Sequence, residues 1–221
     1  MPILLLLTLL QAPKLGSVHF PNSGAQAAQE PFIRGVAYLH SFEYDSAAKA
    51  FREAIRRDST FTLAYWGEAM THTHPVWNQQ DLTAARAVLE RAPAAPTPRE
   101  QAYLKATRIL YGDGPKARRD TLYAEAMREL AAAYPEDAEA RAFYALALLG
   151  LNQGVRDVPT YLKAAAIVEA HVEAFTHPDG EVNVIFDKEF KPLVADKLQV
   201  SEQQFDRFLA EQRAMKRTSS A

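Results

Sequence analysis

Cysteine is absent from all 221 residues of the chain, and glycine is scarce at 9 residues. The lack of cysteine excludes disulfides, catalytic thiolates and thiolate metal sites. Lys and Arg number 25 against 27 Asp and Glu, so the chain has no basic excess for nucleic acid. It also lacks a nucleotide-binding glycine loop and a Gly-x-Ser-x-Gly nucleophile motif. These absences favour a binding protein over an enzyme, and we expect neither a cofactor nor a nucleic-acid partner.

An apolar run extends from Ile3 to Leu10 and is interrupted only by Thr8. It resembles the apolar region of a secretory signal peptide and is too short for a transmembrane helix, which needs about 20 residues. Two cleavage positions stay open, at Gln11-Ala12 and at Ala25-Gln26-Ala27, and a buried N-terminal segment is the alternative to a leader. The run predicts export to the periplasm or the cell exterior, with membrane association only through a partner.

The middle of the chain has apolar residues at helical spacing, broken by short turns. The predicted helices are Gln29–Phe42, Ala47–Arg57, Thr62–Met70, Asp81–Arg91, Pro98–Tyr111, Asp120–Tyr134, Ala138–Leu151 and Pro159–Phe175. Asp45 or Ser46, Asp81 and Thr97 are predicted N-caps, and Thr97 is followed three residues later by Glu100, as in a capping box. Residues 71–80 break the periodicity and are predicted to be a loop. Short turns between similar helices predict antiparallel hairpins and an all-α fold.

One segment carries a repeat signature, between Pro31 and Ser59. A tetratricopeptide unit is about 34 residues of two antiparallel helices, with small residues where the helices cross and large ones between hairpins. The residue types at those positions here are Gly35, Tyr38, Ala47, Phe51 and Ala54. Gly35 and Ala47 would let the two helices touch, while Tyr38 and Phe51 would fill the groove against the next hairpin. This signature predicts a stacked array of the tetratricopeptide-repeat type.

The predicted organisation has three parts. Residues 1–27 are a leader-like segment and linker, residues 28–176 are the helical repeat domain, and residues 177–221 are a non-repeat extension. In the extension, Val182 to Phe186 suggest a strand or extended arm, and a capping box at Ser201 predicts an amphipathic helix.

Several longer motifs resemble a family of bacterial exported tetratricopeptide-repeat proteins. They are Phe20-Pro21-Asn22-Ser23-Gly24, Leu39-His40-Ser41-Phe42-Glu43-Tyr44, Ala64-Tyr65-Trp66-Gly67-Glu68-Ala69-Met70, His74-Pro75-Val76-Trp77, Arg108-Ile109-Leu110-Tyr111-Gly112 and Phe143-Tyr144-Ala145-Leu146-Ala147-Leu148. The resemblance covers roughly Phe20 to Val168, and it implies export and a helical array without implying an activity. Members continue with further hairpins after a His-Pro turn, whereas this chain departs from the pattern after His177-Pro178.

Four aromatic residues are predicted to cluster around the 71–80 segment: Tyr44, Tyr65, Trp66 and Trp77. Aromatic side chains at an exposed groove often anchor a partner, because they bury much area at low entropic cost. The alternative is that they pack the junctions between hairpins. The leading hypothesis is a scaffold or accessory subunit of an envelope assembly, which binds another protein or a multi-subunit complex through its helical face or this aromatic cluster.

Three histidines provide the competing hypothesis. His72 and His74 flank Thr73, so an extended loop would direct both imidazoles to one side, and His40 is a third possible ligand. Such a set would suit Zn²⁺ or Cu²⁺ in a metal-binding protein or metalloenzyme. The alternative is that His40 and His74 bond backbone groups at helix ends and brace the 71–80 segment.

Overall fold

The computed structural model describes residues 15–152 and 157–169. The described helices are α1 (Gln26–His40), α2 (Tyr44–Arg57), α3 (Thr62–Met70), α4 (Leu82–Glu90), α5 (Pro98–Leu110), α6 (Lys116–Ala133), α7 (Ala138–Gly150) and α8 (Val158–Glu169). Between α3 and α4 lies a hairpin of two short strands, β1 (Thr73–His74) and β2 (Gln79–Gln80), joined by a 3₁₀ turn (Pro75–Trp77). The predicted all-α fold is confirmed. The arm at Val182–Phe186 and the helix from Ser201 lie outside the described residues.

Consecutive helices pack against each other, except that α5 packs on α3 and not on α4. Ala27 contacts Arg57 near the open end of the α1–α2 pair, and Arg34 contacts Glu53 midway along it, so the two helices are antiparallel. The same neighbour packing continues from α5 through α8. Within the described part of the chain, no helix is both long enough and apolar enough to cross a membrane.

The repeat residues predicted from the sequence meet in the core of the first hairpins. Ala47, Phe51 and Ala54 are fully buried, and Gly35 is buried beside the Phe51 ring. The same ring lies against Gly67 of α3, so Phe51 joins the first hairpin to the second. Tyr38 is only partly buried and packs at the edge of this core.

Some predicted helix ends and N-caps differ from those in the structure. Helix α2 begins at Tyr44, so Asp45 and Ser46 lie in its first turn and neither is the N-cap. The chain reverses earlier, at Phe42, which adopts a left-handed backbone with φ 59°. Asp81 and Thr97 are N-caps as predicted, because their side chains accept hydrogen bonds from the amides of Ala84 and Glu100. The 71–80 segment forms the strand hairpin and not an irregular loop.

Candidate functional site

The hairpin between α3 and α4 has a closed base. Thr73 pairs with Gln80 and His74 with Gln79 in antiparallel register. The amide of Asp81 donates a hydrogen bond of 2.8 Å to the carbonyl of His72, which closes the base just before α4. At the tip, Asn78 takes a left-handed conformation with φ 54°, which asparagine tolerates better than most residues. The hairpin is therefore short and closed.

Neighbouring helices brace the hairpin from two sides. The imidazole of His74 stacks on the ring of Tyr44 from α2, with centroids 3.8 Å apart and planes 23° from parallel. Its Nε2 lies 3.2 Å from the carbonyl of Thr71, at the end of α3. On the other side, Pro75 packs so closely on Gly150 of α7 that an added Cβ there would lie 3.1 Å from the proline Cβ. The tip is thus held by α2, α3 and α7 at once.

An apolar surface results from this bracing, and we call it the hairpin surface: Phe42, Tyr44, Val76 and Trp77. Val76 is 54% exposed and Trp77 is 53% exposed. The Trp77 indole meets the Phe42 ring edge-on at 5.5 Å and the Tyr44 ring at 6.4 Å. Across residues 15–152 and 157–169, the exposed large apolar side chains are Val76, Trp77 and Leu122, so two of the three lie here. Exposed apolar residues that occur together mark interaction surfaces more often than scattered ones do.

Backbone strain is located at the same surface. Among the non-glycine residues that the structure describes, Phe42 and Asn78 have positive φ, and one lies within the hairpin surface while the other directly follows Trp77. A left-handed conformation at a bulky aromatic residue is uncommon and unfavourable. Such strain tends to concentrate at functional sites. The Phe42 conformation ends α1 and sets the ring beside Trp77.

A cavity of about 530 Å³ adjoins the hairpin surface, between α2 and the strands. Tyr44 and His74 line it together with charged residues of both signs, including Asp45, Lys49 and Asp81. Burial raises the pKa of Tyr44 to about 12, so this phenol stays neutral at physiological pH. Polar groups beside an apolar patch suit a partner that presents both apolar and hydrogen-bonding side chains.

Two of the four predicted partner-binding aromatics do not belong to this surface. Trp66 is 1% exposed, and its ring packs edge-on against Phe20, Tyr103 and Phe143 at 5.0 to 5.5 Å. Tyr65 is also buried, and its hydroxyl donates to the carbonyl of Ser59. These two residues therefore pack the core, whereas Tyr44 and Trp77 reach the surface. The prediction from sequence missed Phe42 and Val76. Val76 could have been found, because it directly precedes Trp77 in the motif His74-Pro75-Val76-Trp77.

The three histidines occupy different environments. His40 Nε2 lies 2.7 Å from Oε2 of Glu139 on α7, and its ring packs 5.5 Å from Phe143. His74 braces the hairpin, as the structural alternative predicted, while burial lowers the pKa of His72 more than Asp81 and Glu68 raise it. Within the described residues, no three or more His, Asp or Glu side chains are grouped as a metal site. His40 therefore links α1 to α7, and His74 holds the hairpin through Thr71 and Gln79.

The contact between His40 and Glu139 predicts a dependence of stability on pH. Burial alone would lower the pKa of His40, but the Glu139 carboxylate outweighs it and raises this pKa above its ordinary value. The bond then stabilises the fold fully below about pH 6.5 and loses this contribution as the pH rises through the raised pKa. We expect His40→Gln to lower the urea midpoint more at about pH 5.5 than at about pH 9. A difference in urea midpoint between wild type and variant that does not change with pH would contradict the prediction. His72 is present in both proteins, so its contribution cancels when the two midpoints are subtracted at each pH.

The face that α1, α3 and α5 share is covered by the chain itself. Phe20 lies among Phe32, Trp66 and Tyr103, and α7 packs against the same face through Phe143. Of the two surfaces that the sequence suggested for a partner, the helical face is thus filled by the chain, and the hairpin surface is open.

Comparisons of this chain with family models, with curated proteins and with solved structures find no match.

Proposed function

We propose that this chain is an interaction scaffold, or an accessory subunit of an envelope-associated assembly, that binds another protein through the hairpin surface. The observation that supports this most is the exposure of Val76 and Trp77 at a tip braced by three helices. A rigid tip loses little conformational freedom on binding, so more of the free energy of burial remains as affinity.

The chemistry of the surface favours a protein partner. Tryptophan and tyrosine are enriched among the residues that dominate binding energy, because they combine a large apolar area with a hydrogen-bonding group. Trp77 supplies the area at the tip, and the cavity beside Tyr44 supplies polar groups at the rim. An apolar centre with a polar rim is the usual anatomy of a protein interface.

Export rests on the apolar run Ile3–Leu10 and on the resemblance to exported repeat proteins. The fold adds one constraint to this proposal. Cleavage at Ala25-Gln26-Ala27 would remove Phe20, which is 2% exposed in the core, whereas cleavage at Gln11-Ala12 would keep it. We propose the earlier position, and N-terminal sequencing of the exported protein tests it.

The hairpin surface is tested with Trp77→Ala in the full chain. We expect a partner isolated from the native envelope fraction with wild type to bind the variant at least about 30-fold more weakly, as for a hot-spot residue worth about 2 kcal/mol. Titration of that purified partner against both proteins gives the ratio. Leu122→Ala is the matched control, because it also removes an exposed apolar side chain, at 47% exposure on α6.

Two results would count against this function. One is equal affinity of wild type and Trp77→Ala for the isolated partner, which would show that the interface lies elsewhere. The other is elution of the wild-type protein as a monomer with nothing bound. Because Trp77 is half exposed, thermal unfolding should show that the variant stays folded, so a lost partner reports on binding.

A further inference from the structure

A segment without helix or strand, residues 18–25, crosses the face that α1, α3 and α5 share. The ring of Phe20 is 2% exposed, and its centroid lies 5.5 Å from Phe32, 5.5 Å from Trp66 and 5.2 Å from Tyr103. Those three rings come from α1, α3 and α5 respectively. A single aromatic side chain is therefore received by an aromatic pocket built from three hairpins.

Arg99 covers this pocket and also holds the backbone of the segment. Its guanidinium carbon lies 4.9 Å from the centroid of the Phe20 ring, within cation–π range. Its Nη1 donates a hydrogen bond of 2.7 Å to the carbonyl of Pro21. Asp137 bonds Arg99 Nε at 2.6 Å and so fixes the guanidinium in this orientation. Arg99 thus recognises a ring and the carbonyl of the following residue.

Glu100 recognises the segment two residues further on. Its side chain is among the most buried in the described part of the chain, at 1% exposure. One carboxylate oxygen accepts from the amide of Ser23 at 2.8 Å, and the other accepts from its hydroxyl at 2.9 Å. The capping box predicted at Thr97 would turn this carboxylate back toward its own helix. Glu100 instead bonds a segment 77 positions away, and a buried carboxylate without such donors would be strongly unfavourable.

Two further contacts also join side chains of the helical array to this segment. Oδ2 of Asp58, just after α2, accepts from the amide of Ala25 at 2.8 Å, and this bond holds the pKa of Asp58 below its usual range. Asn22 bonds Gln29 of α1 through both amides. Side chains of helices and turns therefore bond backbone groups of this segment, while a pocket holds the Phe20 ring. In peptide recognition, main-chain bonds of this kind give affinity and side-chain pockets give specificity.

We propose that α1, α3 and α5 form a peptide-binding groove, which the chain fills with its own residues Phe20–Ser23. The groove is selective for a peptide with an aromatic residue and a serine three positions after it, while Arg99 holds the backbone carbonyl that follows the aromatic. This site is separate from the hairpin surface and does not depend on it.

The effective concentration of the tethered segment decides whether a free peptide can bind the groove. A tethered segment acts at an effective concentration on the order of millimolar, so a free peptide at micromolar concentration does not displace it. Replacing Phe20 with alanine removes the anchor and weakens the internal contact by about a hundredfold or more. The emptied pocket then accepts a peptide that carries its own phenylalanine.

The experiment uses full-length Phe20→Ala protein and a fluorescent peptide with the sequence of Ser17–Ala25. We expect saturable binding by anisotropy to the variant and at least about hundredfold weaker binding to wild type. The matched probe is the same peptide with its phenylalanine changed to alanine, which should bind neither protein. Adding Trp77→Ala should leave peptide binding unchanged, so failure of this proposal and failure of the hairpin interface are distinguishable.

Hydrogen exchange of the wild-type protein provides a readout that needs no variant. If the segment is a bound ligand, the amides of Ser23 and Ala25 should exchange through a local opening, at lower free energy than the amides of α3. Exchange of both sets only with global unfolding would show that the segment is an integral part of the core and would overturn the proposal. A folded Phe20→Ala protein that does not bind the peptide would overturn it equally.

Discussion

Phe51→Ala is expected to lower the free energy of unfolding by about 3–5 kcal/mol, the usual cost of removing a fully buried phenylalanine. The ring has no exposed area and lies between Gly35 of α1 and Gly67 of α3. An added Cβ would lie 2.7 Å from the ring at Gly35 and closer still to it at Gly67. Both glycines allow the ring to pack this closely. Its truncation would therefore leave a cavity where two hairpins meet.

Urea unfolding followed by circular dichroism measures the loss. Leu122→Ala is the control, since its side chain is 47% exposed and its removal should change stability little. Gly67→Ala should cost about 1–3 kcal/mol by overpacking, but much less when Phe51 is already alanine. If the losses of unfolding free energy are additive in the double variant, Gly67 and the Phe51 ring are not in the close contact described.

Asp137→Ala is expected to cost about 3–5 kcal/mol, because it leaves a largely buried guanidinium without its carboxylate. Oδ2 of Asp137 accepts from Arg99 Nε at 2.6 Å and from the Tyr103 hydroxyl at 3.0 Å. Its other oxygen accepts from the Ala140 amide at 3.1 Å and caps α7. The Asp137 side chain is 5% exposed and that of Arg99 is 18% exposed, so solvent screens the pair weakly.

Two controls separate the contributions of this residue. Asp137→Asn keeps an oxygen for the α7 cap and removes the charge, so its stability should lie between wild type and Asp137→Ala. Glu125→Ala breaks an exposed pair with Arg128 and should have little effect on urea unfolding. An Asp137→Ala protein as stable as wild type would show that the bond between α5 and α7 adds nothing net to the fold.

Local sequence rules were reliable wherever one segment satisfies its own backbone. Thr97 and Asp81 cap their helices as predicted, and Phe51 and Ala54 enter the core. Phe42 is the counterexample, since it continues a helical pattern in sequence but adopts a left-handed turn. Backbone bonds from the amides of Phe42 and Glu43 to the carbonyls of Leu39 and Tyr38 close that turn, and the Phe42 ring then meets Trp77 edge-on.

The candidate sites could not be separated from the core by sequence alone. Trp66 and Trp77 look equivalent as aromatic residues near one insertion, yet one is 1% exposed and the other 53% exposed. Glu100 fits a local capping pattern, but its carboxylate bonds Ser23 across 77 positions. Burial and partner choice depend on contacts between hairpins, and no periodicity within a hairpin encodes them.

The sequence by itself determined the all-α class, the succession of helices, the N-caps Asp81 and Thr97, and the packing residues of the first hairpin. These features arise from propensity, spacing and hydrogen bonds within a few residues. The tertiary structure alone decided that Phe20–Ser23 lie along α1, α3 and α5, and that Val76 and Trp77 remain exposed beside Phe42. The reason is that a side chain is buried or left open by elements distant in sequence, which meet only after the hairpins have packed.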